Sequence, residues 1–195
     1  MTLSHAILSN RSLPVQALMV LAGSAAIALA AQVSVPMYPV PMTLQTLAIS
    51  IIGLTYGSRL AAATVLAYLA EGAMGLPVFS GGNGGIGWLL GGPTAGFLWG
   101  FVAMAWLTGW LAERFAARGV MALFAVAVVP ASLLFVAGGG WPLLAGALGY
   151  DAPWAGATLA SVWAGWVAPF LLGTVVKSAL AAVAVAGGWK AVTKG

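Results

Sequence analysis

The chain has 195 residues, 62% of them hydrophobic and only 5% charged, with seven basic residues against three acidic ones and a net charge of +4. A soluble domain carries about a quarter charged residues, so this composition cannot cover a water-facing surface and specifies an integral membrane protein. The lack of cysteine excludes disulfides and thiolate metal sites, and a single histidine, His5, leaves no material for a zinc cluster or a Ser-His-Asp triad. The basic residues are scattered singly and form no nucleic-acid patch.

The first apolar run, 13–32, follows Arg11. Ala28-Leu29-Ala30 resembles the small-residue end of a cleaved leader, but the run is long enough to span a bilayer and is read as a retained helix. Ala22, Ala26 and Ala30 recur every fourth residue beside Gly23 and Ala31. Such a face lets another helix approach closely, within the bundle or on a partner. Pro36, Pro39 and Pro41 close the segment.

Two short spans, 42–57 and 59–75, meet at Gly57-Ser58. Glu71, in the second of them, is the natural counter-charge for a buried cation, or else a structural or interfacial acid. Then comes Phe79-Ser-Gly-Gly-Asn-Gly-Gly-Ile-Gly-Trp-Leu-Leu-Gly-Gly-Pro93. It matches G-x-G-x-x-G only through glycine density, because the strand, helix and acid of a dinucleotide site are missing. Asn83 within it is a turn former in one reading. In the other its amide reads a cyclic urea or amide while flanking glycines let the backbone come near.

Further spans are expected at 93–112 and 119–138. The loop 139–162 holds an apolar piece, 141–148, too short to cross and read as a lid or re-entrant segment. The last span, 163–188, carries Lys177 near its middle. A lysine there costs about 2.5–3.5 kcal/mol on insertion scales, so it is expected to face a cavity or a partner.

The expected fold is therefore an all-α membrane protein, one six-helix transmembrane domain over residues 1–195. Every basic residue except Lys177 falls on one side of this topology, and the loops 33–41, 76–92 and 139–162 carry none. By the positive-inside rule both termini are cytoplasmic and the glycine-rich loop faces out. No pair of acids sits in one span for acid-base work, so an intramembrane enzyme is excluded on inventory, and no metal or cofactor is expected.

Several stretches together resemble the BioY family, the biotin-specific substrate-binding (S) components of energy-coupling-factor transporters. They are Pro39-Val-Pro-Met-Thr-Leu-Gln-Thr46, Tyr68-Leu-Ala-Glu-Gly-Ala-Met-Gly-Leu-Pro-Val-Phe79, Gly81-Gly-Asn-Gly-Gly85, Gly92-Pro-Thr-Ala-Gly-Phe97 and Pro169-Phe-Leu-Leu-Gly-Thr-Val-Val-Lys177. The resemblance implies biotin capture from the outer face and location in the inner, cytoplasmic membrane. It also implies assembly with a membrane coupling protein and two separate ATPase subunits. It assigns the coupling-protein contact to Ala22, Ala26 and Ala30. In biotin's site Asn83 would meet the ureido ring and Lys177 the carboxylate, with Thr43 and Gln45 as polar supports and Tyr38, Phe79 and Trp88 as walls or lids. An S component for another vitamin, a small stand-alone vitamin transporter and a homo-oligomer remain open readings. The sequence departs from the family pattern at Thr174, where an acid usually stands three residues before the lysine. Glu71 stands where an apolar residue is expected, so the acid that balances Lys177 is expected to have moved there.

Overall fold

The computed structural model of the protein describes residues 12–115 and 118–194; His5 and Arg11 lie outside them. Helix α1 (Leu13–Gln32) is followed by two short strands, β1 (Ser34–Val35) and β2 (Met42–Thr43). Next come α2 (Gln45–Tyr56) and α3 (Ser58–Ala73). The glycine-rich stretch contains a 3₁₀ turn, Ser80–Gly82, and a short helix α4 (Ile86–Gly91). Helices α5 (Ala95–Phe115) and α6 (Val120–Ala147) follow. Then α7 (Leu159–Val162) runs through a π turn at Trp163–Val167 and a 3₁₀ turn at Ala168–Phe170 into α8 (Leu171–Lys194).

Among the described residues, four stretches are long and apolar enough to cross a membrane: Leu13–Gln32, Ala95–Phe115, Val120–Ala147 and Leu159–Val192. This is the organisation of a multi-pass membrane protein. Helix α2 is apolar but shorter.

Local chemistry sets the boundaries. A proline stands in the first turn of α1, where its missing N–H has no helical use. Gly57, at φ 88°, separates α2 from α3 in a conformation that other residues avoid. The start of α3 leaves backbone N–H groups without helical partners. Glu113, from the far end of α5, meets this need: its carboxylate accepts from the Ser58 N–H at 3.0 Å and from the Ser58 hydroxyl at 2.8 Å. Nearby, Arg118 lies over the Trp189 ring at 4.6 Å. These contacts tie together the helix ends that carry the basic residues.

Two loop expectations need correction. The segment 33–44 folds back on itself, with Ser34 opposite Thr43 and Val35 opposite Met42. The apolar piece 141–148 is no separate lid, because α6 continues through it. At 1.5 Å per residue α6 is about 42 Å long, more than the ~30 Å hydrocarbon thickness, so its last turns project beyond the apolar slab. Pro142 cannot donate to Gly138, which costs the helix a bond. Contacts from other segments fix this turn: the Gly156 N–H donates to the Pro142 carbonyl at 3.0 Å, and the Trp141 indole donates to the Gly92 carbonyl at 2.9 Å. Trp141 also stacks on Trp154, with centroids 6.2 Å apart.

The interior divides in two. At the basic end a tight core uses Leu54, Ala112, Leu123, Ala127, Ala181, Ala182 and Trp189, where small side chains let helices close up. Toward the other end the core is aromatic, built on Tyr68, Phe79, Phe97, Phe101, Trp166 and Phe170. Large rings set at angles leave space between them. The cavity lies in that half.

Candidate functional site

The cavity of about 60 Å³ is lined by the β1–β2 hairpin, α2, the Phe79–Ser80 segment, α5, α6 and α8. Ligand pockets usually offer about 300–1,000 Å³, so a vitamin-sized ligand enters only as the walls part. Its apolar wall includes Phe97, Phe101, Phe135 and Phe170. Phe97 sits between Phe135, at 6.5 Å and nearly perpendicular, and Phe170, at 6.3 Å and tilted. Three helical segments thus contribute to one aromatic surface.

The polar lining includes Thr43, Gln45, Thr46, Thr174 and Lys177. The hairpin puts the Thr43 carbonyl where the Lys177 ammonium donates to it at 3.0 Å. The partner of this lysine is a neutral carbonyl, so its charge is not balanced by that bond. From Thr43 a string of bonds leads away from the cavity. The Thr43 hydroxyl donates to Gln45 Oε1 at 2.9 Å, Gln45 Nε2 donates to the Tyr68 hydroxyl at 2.8 Å, and Tyr68 donates to the Val78 carbonyl at 3.1 Å. Tyr68, fully buried, also meets Phe79 edge-on, at 5.6 Å and 76°. Loop, helix and lysine are thereby linked through one buried network.

Five residues singled out from sequence meet at the cavity: Thr43, Gln45, Phe79, Thr174 and Lys177. Thr174 is buried and donates to the Phe170 carbonyl at 2.9 Å, the usual bond of a helical threonine to the carbonyl four residues back. Four others lie off the cavity. Asn83 donates one amide proton to the Ser80 carbonyl at 2.7 Å and closes a turn, with Phe79 and Asn83 bridged by backbone. That is the turn-forming use of asparagine. Trp88 packs against the aromatic core from α4, and Tyr38 is 78% exposed in a separate surface groove that Trp154 and Trp166 also line. Glu71 accepts from the Ser24 hydroxyl of α1 at 2.8 Å. The expected pairing of Glu71 with Lys177 is absent, because the two side chains are committed to different neighbours on different elements.

The glycine-rich cover is tied down by its backbone. Gly82, at φ 72°, donates its N–H to Gln32 Oε1 at 3.1 Å, and Gln32 Nε2 in turn donates to the Phe79 carbonyl at 3.2 Å. A side chain at Gly82 would strain this conformation. On α1, Gly23, Ser24, Ile27 and Ala31 face the bundle, whereas Ala22 and Ala26 are exposed and Ala30 is half-buried. Sequence reasoning missed Thr46 and most of the aromatic wall. Thr46 closes one of the quoted motifs, but nothing in its type marks it as facing a cavity. The phenylalanines come from separate helices at no common spacing.

The BioY family profile matches residues 5–194. A protein named biotin transporter BioY, from Rhizobium etli, is 38% identical over 158 residues, covering 81% of this chain and 82% of that protein. Another of the same name, from Rhodobacter capsulatus, is 38% identical over 149 residues, covering 72% and 74%. Among solved structures, the S-component for biotin from an ECF-type ABC transporter superposes with a TM-score of 0.74 at 23% identity, covering 93% of this chain and 95% of that one. At that identity the likeness establishes the fold.

Proposed function

Because this chain belongs to the BioY family, we propose that it is the biotin-capturing subunit of a membrane uptake transporter. It is a transport protein of that family, not an enzyme. The observation that carries the reading is Lys177, a membrane-embedded cation on the edge of an aromatic cavity, bonded to the neutral Thr43 carbonyl. A ligand with an apolar ring system and one carboxylate is complementary to that arrangement. The ring lies against the wall formed by Phe97, Phe135 and Phe170, and the carboxylate takes the spare ammonium donors. Thr43, Gln45 and Thr174 support the polar end, and Phe79 covers the opening.

The membrane arrangement follows the basic residues. Six crossings, by α1, α2, α3, α5, α6 and the composite helix ending in α8, set Arg59, Arg114, Arg118 and Lys190 on one side. The positive-inside rule makes that side cytoplasmic, in the inner membrane, and the cavity then opens outward. The exposed face of Ala22 and Ala26 is suited to close contact with a helix of a coupling protein, which two ATPase subunits would drive.

Uptake of labelled biotin by cells lacking their own biotin transporter tests this reading. Cells expressing the chain with a coupling protein and ATPases should accumulate biotin, in competition with unlabelled biotin and desthiobiotin but not with thiamine or riboflavin. Expression of the chain alone measures the stand-alone reading. Accumulation displaced by thiamine or riboflavin instead of biotin would transfer the chain to another vitamin.

A further inference from the structure

We propose that Thr46 reads the ligand directly, its hydroxyl donating to an oxygen acceptor of the bound molecule; this rests on the biotin-capture reading above. Three buried polar side-chain atoms have no hydrogen-bond partner among the described residues: Thr46 Oγ1, Thr108 Oγ1 and Trp166 Nε1. Of these residues only Thr46 lines the cavity. Buried polar groups are normally paired, and an exception at a cavity wall points to a partner supplied from the cavity.

The position of Thr46 in the chain explains the missing bond. A threonine inside a helix usually donates to the carbonyl four residues back. Thr55, Thr64 and Thr174 all do so, at 2.6, 2.8 and 2.9 Å. Thr46 stands in the first turn of α2, and the residue four before it, Met42, belongs to strand β2. The chain is not helical there, so Thr46 cannot bond back. The neighbouring hydroxyls are already used, Thr43 on Gln45 and Thr174 on Phe170, and one Gln45 amide proton goes to Tyr68. The Thr46 hydroxyl is therefore an unused directional donor in the lining of the cavity that Lys177 also lines. Biotin offers two acceptors of the matching kind, the ureido carbonyl and the carboxylate.

The test uses the purified full chain and measures biotin affinity together with the thermal midpoint in the absence of biotin. Thr46→Val keeps the shape and removes the hydroxyl; Thr46→Ser keeps the hydroxyl. With one neutral hydrogen bond lost, Thr46→Val should bind biotin about tenfold more weakly. Its midpoint should equal or exceed wild type, because a buried unpaired hydroxyl has gone, and Thr46→Ser should stay close to wild type in affinity. An equal loss with biotin and with an analogue lacking the carboxyl group assigns Thr46 to the ureido end, and a loss confined to biotin assigns it to the carboxylate. Wild-type affinity in Thr46→Val overturns the proposal, as does an affinity loss accompanied by a lowered midpoint, which would mark a packing role. Failure of folded wild type to bind biotin is a separate result and removes the capture reading itself.

Discussion

A methyl group at Gly72 should loosen the cover of the cavity. A Cβ built there runs into the Phe79 ring at its ζ and ε carbons. The ring has little freedom to retreat: Phe79 is 1% exposed, Tyr68 meets it edge-on, its N–H donates to the Asn83 carbonyl at 2.9 Å, and Gln32 holds its carbonyl. Overpacking of this kind costs about 1–3 kcal/mol. Swinging the ring out instead forfeits about 1.5–3 kcal/mol of burial and about 0.5–1.5 kcal/mol of aromatic pairing. Alanine gains about 1 kcal/mol over glycine as a helix former, which offsets only part of the upper range of either cost. Gly72→Ala should therefore lose up to about 2 kcal/mol, a fall in thermal midpoint of up to about 8 °C for a chain of this size. Gly187→Ala is the matched control, since its Cβ meets nothing within 4 Å in α8, and its midpoint should rise by about 1–4 °C. Thermal unfolding of both variants in the same detergent gives opposite signs if the reasoning is sound. A rise in both would refute the packing of Phe79 on Gly72.

Tyr68→Phe removes the hydroxyl that accepts from Gln45 and donates to the Val78 carbonyl. It should cost about 1–3 kcal/mol through the groups left unpaired, and an unchanged midpoint would show that the network carries no load. Glu71→Gln preserves an oxygen acceptor for Ser24 and lies off the cavity. Biotin affinity should stay within about twofold of wild type, as for sites that share no partners; a large loss would restore Glu71 as the acid that serves Lys177.

The helical framework was legible because bilayer thickness, proline and glycine leave strong marks. The first span, 13–32, coincides with α1 (Leu13–Gln32), and the breaks at Gly57 and before residue 95 fall where expected. The end of α6, beyond the expected span 119–138, was not legible from local sequence. The bonds that hold Trp141 and Pro142 in place come from Gly92 and Gly156, remote in sequence. Lys177 was legible from charge alone, since an isolated mid-span lysine needs a reason. Its partner was not, because a backbone carbonyl in a two-residue strand has no sequence signature. Asn83 drew attention through its rare amide among glycines, yet local turn chemistry takes one of its protons. Thr46 escaped notice for the opposite reason: its importance lies in a bond that the strand before α2 prevents it from making.

The central claim is that this cavity holds biotin through Lys177. Equilibrium binding of labelled biotin to purified wild type and to Lys177→Met tests it most directly. Methionine keeps the length and apolar stem but removes the charge. A charge-assisted hydrogen bond contributes about 1.5–3 kcal/mol, so tight wild-type binding should weaken by about tenfold to 150-fold in the variant. Equal affinity in the two folded proteins would contradict the claim and move the ligand's carboxylate elsewhere.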